Sequence, residues 1–220
     1  MIPLNLEPFI FDCEVFAYDW LFVFKNKVTG EYTVIWNDNE AVEQFMTQEP
    51  LLAGFNNKHY DQFILKAVLS GFTPEEIKAV NDFIIVGGHE GWEYAPLRDC
   101  GIFFDQYDLM DDCQIGLSLK AIEAHLGMDI RETTVPFNID RPLTEDEKRE
   151  VEFYCRHDVD ATDRLDDLRQ GYLSSKLTLG REKGLYPAKA LYMTNAKLTA
   201  AYLDAEQKPH YDEREYQYPP

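Results

Sequence analysis

From residue 9 onward the chain alternates apolar runs with single polar positions. The stretch FIFDCEVF, residues 9–16, predicts a strand buried on both faces, because β-branched and aromatic side chains suit a pleated interior. Trp20–Phe24 and Glu31–Trp36 continue the pattern with Thr29-Gly30 as a turn, which predicts a three-stranded antiparallel meander. The period then changes. In NEAVEQFMTQ, residues 39–48, Val42, Phe45 and Met46 fall at helical spacing, with Asn39 as a possible cap and Pro50 as a stop. LLAGF, 51–55, predicts a short buried strand. It leads into a helix within 56–72 on which Tyr60, Phe63, Ile64 and Ala67 share a face and Gly71 marks the end. Thr73 caps a second helix from Pro74 to about Phe83. Gly87, Gly88, Gly91 and Pro96 make 87–98 a loop, and GIFFDQYDL, 101–109, is a fifth strand.

A short helix is expected over 118–127 between a Ser118 cap and Gly127, and residues 131–141 read as irregular. A long amphipathic helix over 143–168 starts at a Thr144/Glu147 capping box. The order places the fold in the α/β class: a mixed five-stranded sheet, an antiparallel meander plus parallel strands, flanked by helices. A further helix over 187–205 precedes the polar segment EQKPHYDEREYQYPP. The expected organisation is a main domain over 1–172 and a C-terminal helical extension or linker over 173–220, leading into a further domain downstream.

Composition narrows the function. The 220 residues, 45% of them hydrophobic, are enough for one sizeable core. Forty acidic residues against 21 Lys and Arg give a net charge of −19, which argues against a broad basic grip on duplex nucleic acid. A site that neutralises phosphates with bound cations escapes that objection. Cys13, Cys100, Cys113 and Cys155 form no CxxC pair and read as free thiols in a reducing compartment. The first residues, MIPLNLEP, carry no basic, apolar leader pattern, and nowhere do about 18 apolar residues run together, so a soluble intracellular protein without a membrane partner is expected.

Three acidic placements stand out. Asp12 and Glu14 interrupt the first strand on one face, with Cα atoms roughly 6.6 Å apart at about 3.3 Å of rise per residue. Two like charges on an apolar strand cost stability unless something offsets them. In GFNNKHYDQF, 54–63, Asn57 and Asp61 are four apart and are expected on one face of a helix's first turns, although for this segment taken alone an N-cap at Asn56 or Asn57 and a helix-face acid at Asp61 are the ordinary explanation. In FYCRHDVDAT, 153–162, Tyr154 and Asp158 repeat the spacing, and an isolated pair of that kind is ordinarily a solvated face or a tyrosine closing a core.

Taken in order, Asp12-Cys13-Glu14 on a strand, Asn57 to Asp61 at a strand-to-helix junction, and Tyr154 with Asp158 on a late helix resemble the three exonuclease motifs of the DEDD superfamily. Those are 3′-to-5′ exonucleases with a ribonuclease-H-like fold, and the resemblance covers residues 9 to about 170. Phe153 stands where the histidine branch has its histidine and Tyr154 fills the tyrosine-branch position, so the chain resembles the tyrosine branch, and His157 reads as structural or exposed. The SLKAIEAHLG helix and the late Tyr–Asp element look most like the proofreading domains of family B DNA polymerases, viral ones included.

The resemblance implies a catalytic set of Asp12, Glu14, Asp61, Tyr154 and Asp158, in which the four carboxylates hold two divalent cations, Mg²⁺ with Mn²⁺ able to substitute. Tyr154 would orient the attacking water, and Asn57 matches a family position near the scissile phosphate. Phe16, Tyr18 and Phe55 could stack on terminal bases or pack in the core. The implied partner is the 3′ end of single-stranded DNA, with RNA as the alternative and a polymerase domain downstream. The implied setting is cytoplasmic or nucleoid-associated, the host cytoplasm for a viral protein. A catalytically silent nucleic-acid-binding scaffold and a general acidic interaction domain are the readings from other classes. The second leaves Asp12 and Glu14 in an apolar strand unexplained.

Overall fold

A computed structural model describes residues 8–113 and 116–205. The three-stranded meander forms as the alternation predicts: β1 (Phe9–Val15), β2 (Trp20–Asn26) and β3 (Tyr32–Trp36) pair antiparallel, with Phe11 opposite Phe24 and Cys13 opposite Phe22. On the other side of β1, β4 (Leu52–Gly54) and then β5 (Gln106–Asp108) add in parallel, giving the order β3-β2-β1-β4-β5. This is a five-stranded mixed sheet flanked by helices, an arrangement consistent with a ribonuclease-H-like fold.

The pleat of β1 divides the molecule chemically. Phe11, Cys13 and Val15 belong to the main hydrophobic cluster with Phe22 and Phe24, packed with α1 (Asn39–Met46), α2 (Asp61–Leu69) and α3 (Pro74–Ile85). Asp12 and Glu14 turn the other way, toward α6 (Glu145–Glu182), whose Val151, Cys155 and Val159 are buried. Two lysines anchor α6 there. Lys25 pairs with Asp160 and Asp163, each at 2.7 Å, and Lys27 pairs with Asp163, Asp166 and Asp167 at 2.6–2.9 Å. Asp166 is fully buried and also accepts the Tyr107 hydroxyl at 2.8 Å, so the network has a desolvated centre at Asp166 and Asp163, while its outer members Asp160 and Asp167 are about half exposed.

Several boundaries differ from the sequence expectation, each for a local reason. Asp38, not Asn39, caps α1, and the Asn39 amide instead ties the carbonyls of Val68 and Phe72. The fifth strand keeps only 106–108 of the expected 101–109, because its single neighbour β4 offers three residues. The loop at 87–98 holds a 3₁₀ turn at Gly91–Glu93 and the one-turn α4 (Ala95–Arg98), and Gly91 lies so close to the Phe63 ring that a Cβ would overlap it. α5 (Leu119–Leu126) has the expected Ser118 cap and left-handed Gly127.

The described residues fall into two compact units, one up to Gly171 and one from Tyr172. α6 continues to Glu182 rather than ending near 168. In the second unit the helix expected over 187–205 is two, α7 (Pro187–Tyr192) and α8 (Asn195–Tyr202), because the Thr194 side chain caps the Lys197 amide and starts a new helix. There the buried Lys176 ammonium donates to the Leu191 carbonyl at 2.7 Å. The polar segment from residue 206 lies outside the described residues.

Candidate active site

β1 delivers Asp12 and Glu14 to the α6 face two residues apart, as the period of a strand requires. Glu14 is buried and Asp12 half-buried. α6 answers from the same face with Cys155. One ligating atom from each of Asp12, Glu14 and Cys155 lies within 4.8 Å of the other two, and the Cys155 thiol donates to Asp12 Oδ2 at 3.4 Å. Burial and the neighbouring carboxylates push that thiol well above its ordinary range, so it stays protonated and acts as a donor rather than as a thiolate ligand.

Asp61 opens α2, and its Oδ1 accepts the Cys13 N–H at 3.2 Å. It is buried, and loss of water pushes its pKa up to about 7, the Asp108 carboxylate adding to the rise and hydrogen bonds from Cys13 limiting it. Asp12 is pushed well up by burial first and then by the charges of Asp61, Glu14 and Asp158. Glu14 rises for the same first cause, with Asp158 and Asp61 next. The charges of Asp61, from α2, and Asp158, from α6, thus bear on the β1 pair Asp12 and Glu14 and make both harder to ionise.

Asp158 differs from the other three in holding a cation of the chain's own. Lys120, from α5, places its ammonium on Asp158 Oδ1, 4.9 Å from the centroid of the Tyr154 ring and 3.4 Å from Glu123 Oε2. Burial raises the Asp158 pKa, while Lys120 and a hydrogen bond from Tyr154 hold it down. The Tyr154 hydroxyl is driven far above the ordinary phenol range by burial and by the Asp158 and Glu14 charges. It remains a proton donor at any physiological pH and cannot serve as a general base. His157 is mostly covered, with Nε2 3.6 Å from Glu123 Oε1, which places it beside Lys120 rather than in solvent.

The junction after β4 depends on an acid that sequence reading passed over. Asp108, at the end of β5, accepts the amides of Asn56 at 2.9 Å and Lys58 at 3.0 Å on its two oxygens, and so shapes the turn that leads into Asp61. Asn56 adopts φ 66°, the left-handed conformation that Asn tolerates. α2 begins only at Asp61, so Asn57 is not on a shared helix face with it. Asn57 is fully buried, its amide meeting that of Gln106 at 2.8 Å, and a Cβ on Gly54 would stand 2.8 Å from the Asn57 Cβ. That side chain closes the strand-to-helix turn instead of facing solvent.

The three aromatics expected near substrate separate. Phe16 has no exposed surface and stacks on Phe137 at 5.2 Å between centroids, which is the core-packing alternative. Phe55 is half-buried, and Tyr18 is exposed with its hydroxyl 3.5 Å from Asp140. Among the described residues no helix is long and apolar enough to cross a membrane. Comparison with protein families, with curated proteins and with solved structures finds no significant match for this chain.

Proposed function

We propose that the chain is a metal-dependent 3′-to-5′ exonuclease of the tyrosine branch, acting on the 3′ end of single-stranded DNA as the proofreading module of a DNA polymerase. The observation that carries this reading is the pair Asp12 and Glu14 on one face of β1, within 4.8 Å of Cys155, with the charges of Asp61 and Asp158 near enough to oppose the ionisation of both. An all-oxygen set of repelling carboxylates fits hard divalent cations, which convert mutual repulsion into coordination. The protonated Cys155 thiol is a poor ligand for such ions and fits better as a donor that orients Asp12.

In this reading Asp12, Glu14, Asp61 and Asp158 would hold two Mg²⁺ ions, for which Mn²⁺ would substitute. When bound, the ions activate the attacking water and stabilise the leaving 3′ oxygen. The protein's own groups set the stage for that chemistry. Lys120 partly neutralises Asp158 and fixes the face of Tyr154. Tyr154, kept protonated, hydrogen-bonds to Asp158 and can orient a water beside it. The net charge of −19 leaves most of the grip on nucleic acid to a partner domain.

The test is incubation of the purified chain with 5′-labelled single-stranded DNA and the matching RNA in magnesium, manganese or chelator, with Asp158→Asn as control. A metal-dependent ladder shortening from the 3′ end, lost in the variant, is expected, and the RNA lane reports the sugar preference. A folded wild-type chain that binds no Mn²⁺ by electron paramagnetic resonance and cuts neither strand would remove the proposal in favour of a silent binding module.

A further inference from the structure

Beside Tyr154 lies a cavity of about 450 Å³ between the segment after α5 and the first turns of α6. Its walls include Ile130, Arg131, Glu132, Glu150, Phe153 and Tyr154. The volume is in the range of small-molecule sites. Tyr154 is a wall of the cavity and also a hydrogen-bond partner of Asp158, so whatever fills the cavity abuts the acidic site.

Phe153 is 57% exposed, although its neighbours at 151 and 155 are buried, so its ring contributes little to the core. The Arg131 guanidinium lies 5.3 Å from that ring's centroid, and Arg131 is held from behind by Asp129 at 2.7 Å. An exposed ring faced by a planar cation is a ready seat for a flat π-system. The rim is acidic: Glu132 lines it, and Glu150 is fixed in place by the Thr134 amide at 2.6 Å and the Thr134 hydroxyl at 2.7 Å. With Asp129 taken up by Arg131, the two remaining carboxylates of the lining, Glu132 and Glu150, disfavour a phosphate and favour a neutral ring that donates hydrogen bonds.

We infer that this cavity seats an unpaired nucleobase of the strand being cut, stacked against Phe153 and Arg131, and that its carboxylate rim favours adenine, cytosine and guanine over thymine or uracil. The first three carry an exocyclic amino donor, whereas thymine presents acceptors and one ring N–H. A rim carboxylate can accept from that amino group and only opposes a carbonyl oxygen at the same place, so thymine loses the contact and meets a repulsion instead. The inference rests on the exonuclease reading and adds a base preference to it.

The experiment measures equilibrium binding of fluorescein-labelled dA12, dC12 and dT12, made with phosphorothioate linkages at the 3′ end, to the full chain in calcium by fluorescence anisotropy. Cleavage of the unmodified strands in magnesium and manganese is followed in parallel. Expected are about tenfold tighter binding of dA12 and dC12 than of dT12, loss of that difference in Phe153→Ala, and its retention in Phe153→Tyr, which keeps the stacking face. Because Phe153 is largely outside the core, circular dichroism of the alanine variant should match the wild type. Cleavage of all three strands with equal affinities, unchanged in Phe153→Ala, would overturn the nucleobase site and leave the exonuclease reading standing. Neither binding nor cleavage of any strand would overturn both.

Discussion

Replacing Asp61 by Asn should make the metal-free protein more stable, and by an amount that depends on pH. Asp61 is buried, with a pKa pushed up to about 7 from an ordinary 3.8. At about 1.4 kcal/mol per unit, a shift of roughly three units is worth about 4 kcal/mol. Between those two values the folded chain holds a proton that the unfolded chain has released, so stability falls as pH rises through the window and levels off above about pH 7. The Asn side chain carries no charge to bury and still offers an oxygen to the Cys13 N–H. Without divalent cations, Asp61→Asn should therefore exceed the wild type at pH 8 by up to about 4 kcal/mol, on the order of 10 °C in Tm for a chain of this size. The two should converge near pH 4. Magnesium should narrow the gap at pH 8 by stabilising the wild type through binding. Thermal unfolding followed by circular dichroism at pH 4, 6 and 8, with chelator and with magnesium, measures all of this. A gap of constant size across pH, or a wild type more stable than the variant at pH 8 in chelator, would refute the argument that Asp61 is held ionised against its surroundings.

Asp12→Asn or Asp158→Asn should abolish cleavage and weaken Mn²⁺ binding while leaving the far-ultraviolet spectrum unchanged; titration by electron paramagnetic resonance separates lost metal from lost fold. Tyr154→Phe should slow single-turnover cleavage less than loss of a carboxylate does, and equal damage would contradict an orienting role. Lys120→Met leaves Asp158 without its cation and should lower metal-free stability by about 1–3 kcal/mol, less than for a fully buried pair because a quarter of the lysine side chain is exposed; added Mg²⁺ should recover most of the loss in a thermal melt. Gly54→Ala should destabilise by about 1–3 kcal/mol, since its Cβ would press on Asn57, and a neutral result in denaturant unfolding would show that the turn after β4 has slack.

The sheet was readable from the sequence because its signals are local. Alternation of buried and polar positions defined the meander, and two acids inside an apolar strand marked the site. The Thr144/Glu147 box also needs nothing beyond its own four residues, and it forms, with the Glu147 amide donating to the Thr144 hydroxyl at 3.3 Å and the Thr144 amide to Glu147 at 2.8 Å. Lys120, Cys155 and Asp108 were missed because each acts on a group far away in the chain: Lys120 on Asp158, Cys155 on Asp12, Asp108 on Asn56 and Lys58. The run GIFFDQYDL held a weak clue, an acid in a strand as at Asp12, but Asp105 in the same run carries the same signal, so the sequence did not single out Asp108. Asn57 was misplaced because helical spacing was assumed to begin before Asp61, whereas Asp108 holds the preceding residues in a turn.

The lysine pairs on α6 also set a constraint on chain length. Tyr154, Cys155 and Asp158 sit on the same helix as Asp160, Asp163, Asp166 and Asp167, which Lys25 and Lys27 index against β2. Each residue of an α-helix advances about 100° around the axis and 1.5 Å along it. A deletion or insertion at Val159 would keep every functional residue type and still rotate Asp158 away from Asp12, because the anchor beyond it is fixed by ion pairs. That interval can vary in composition far more readily than in number, and the charge ladder acts as the vernier by which the helix is set.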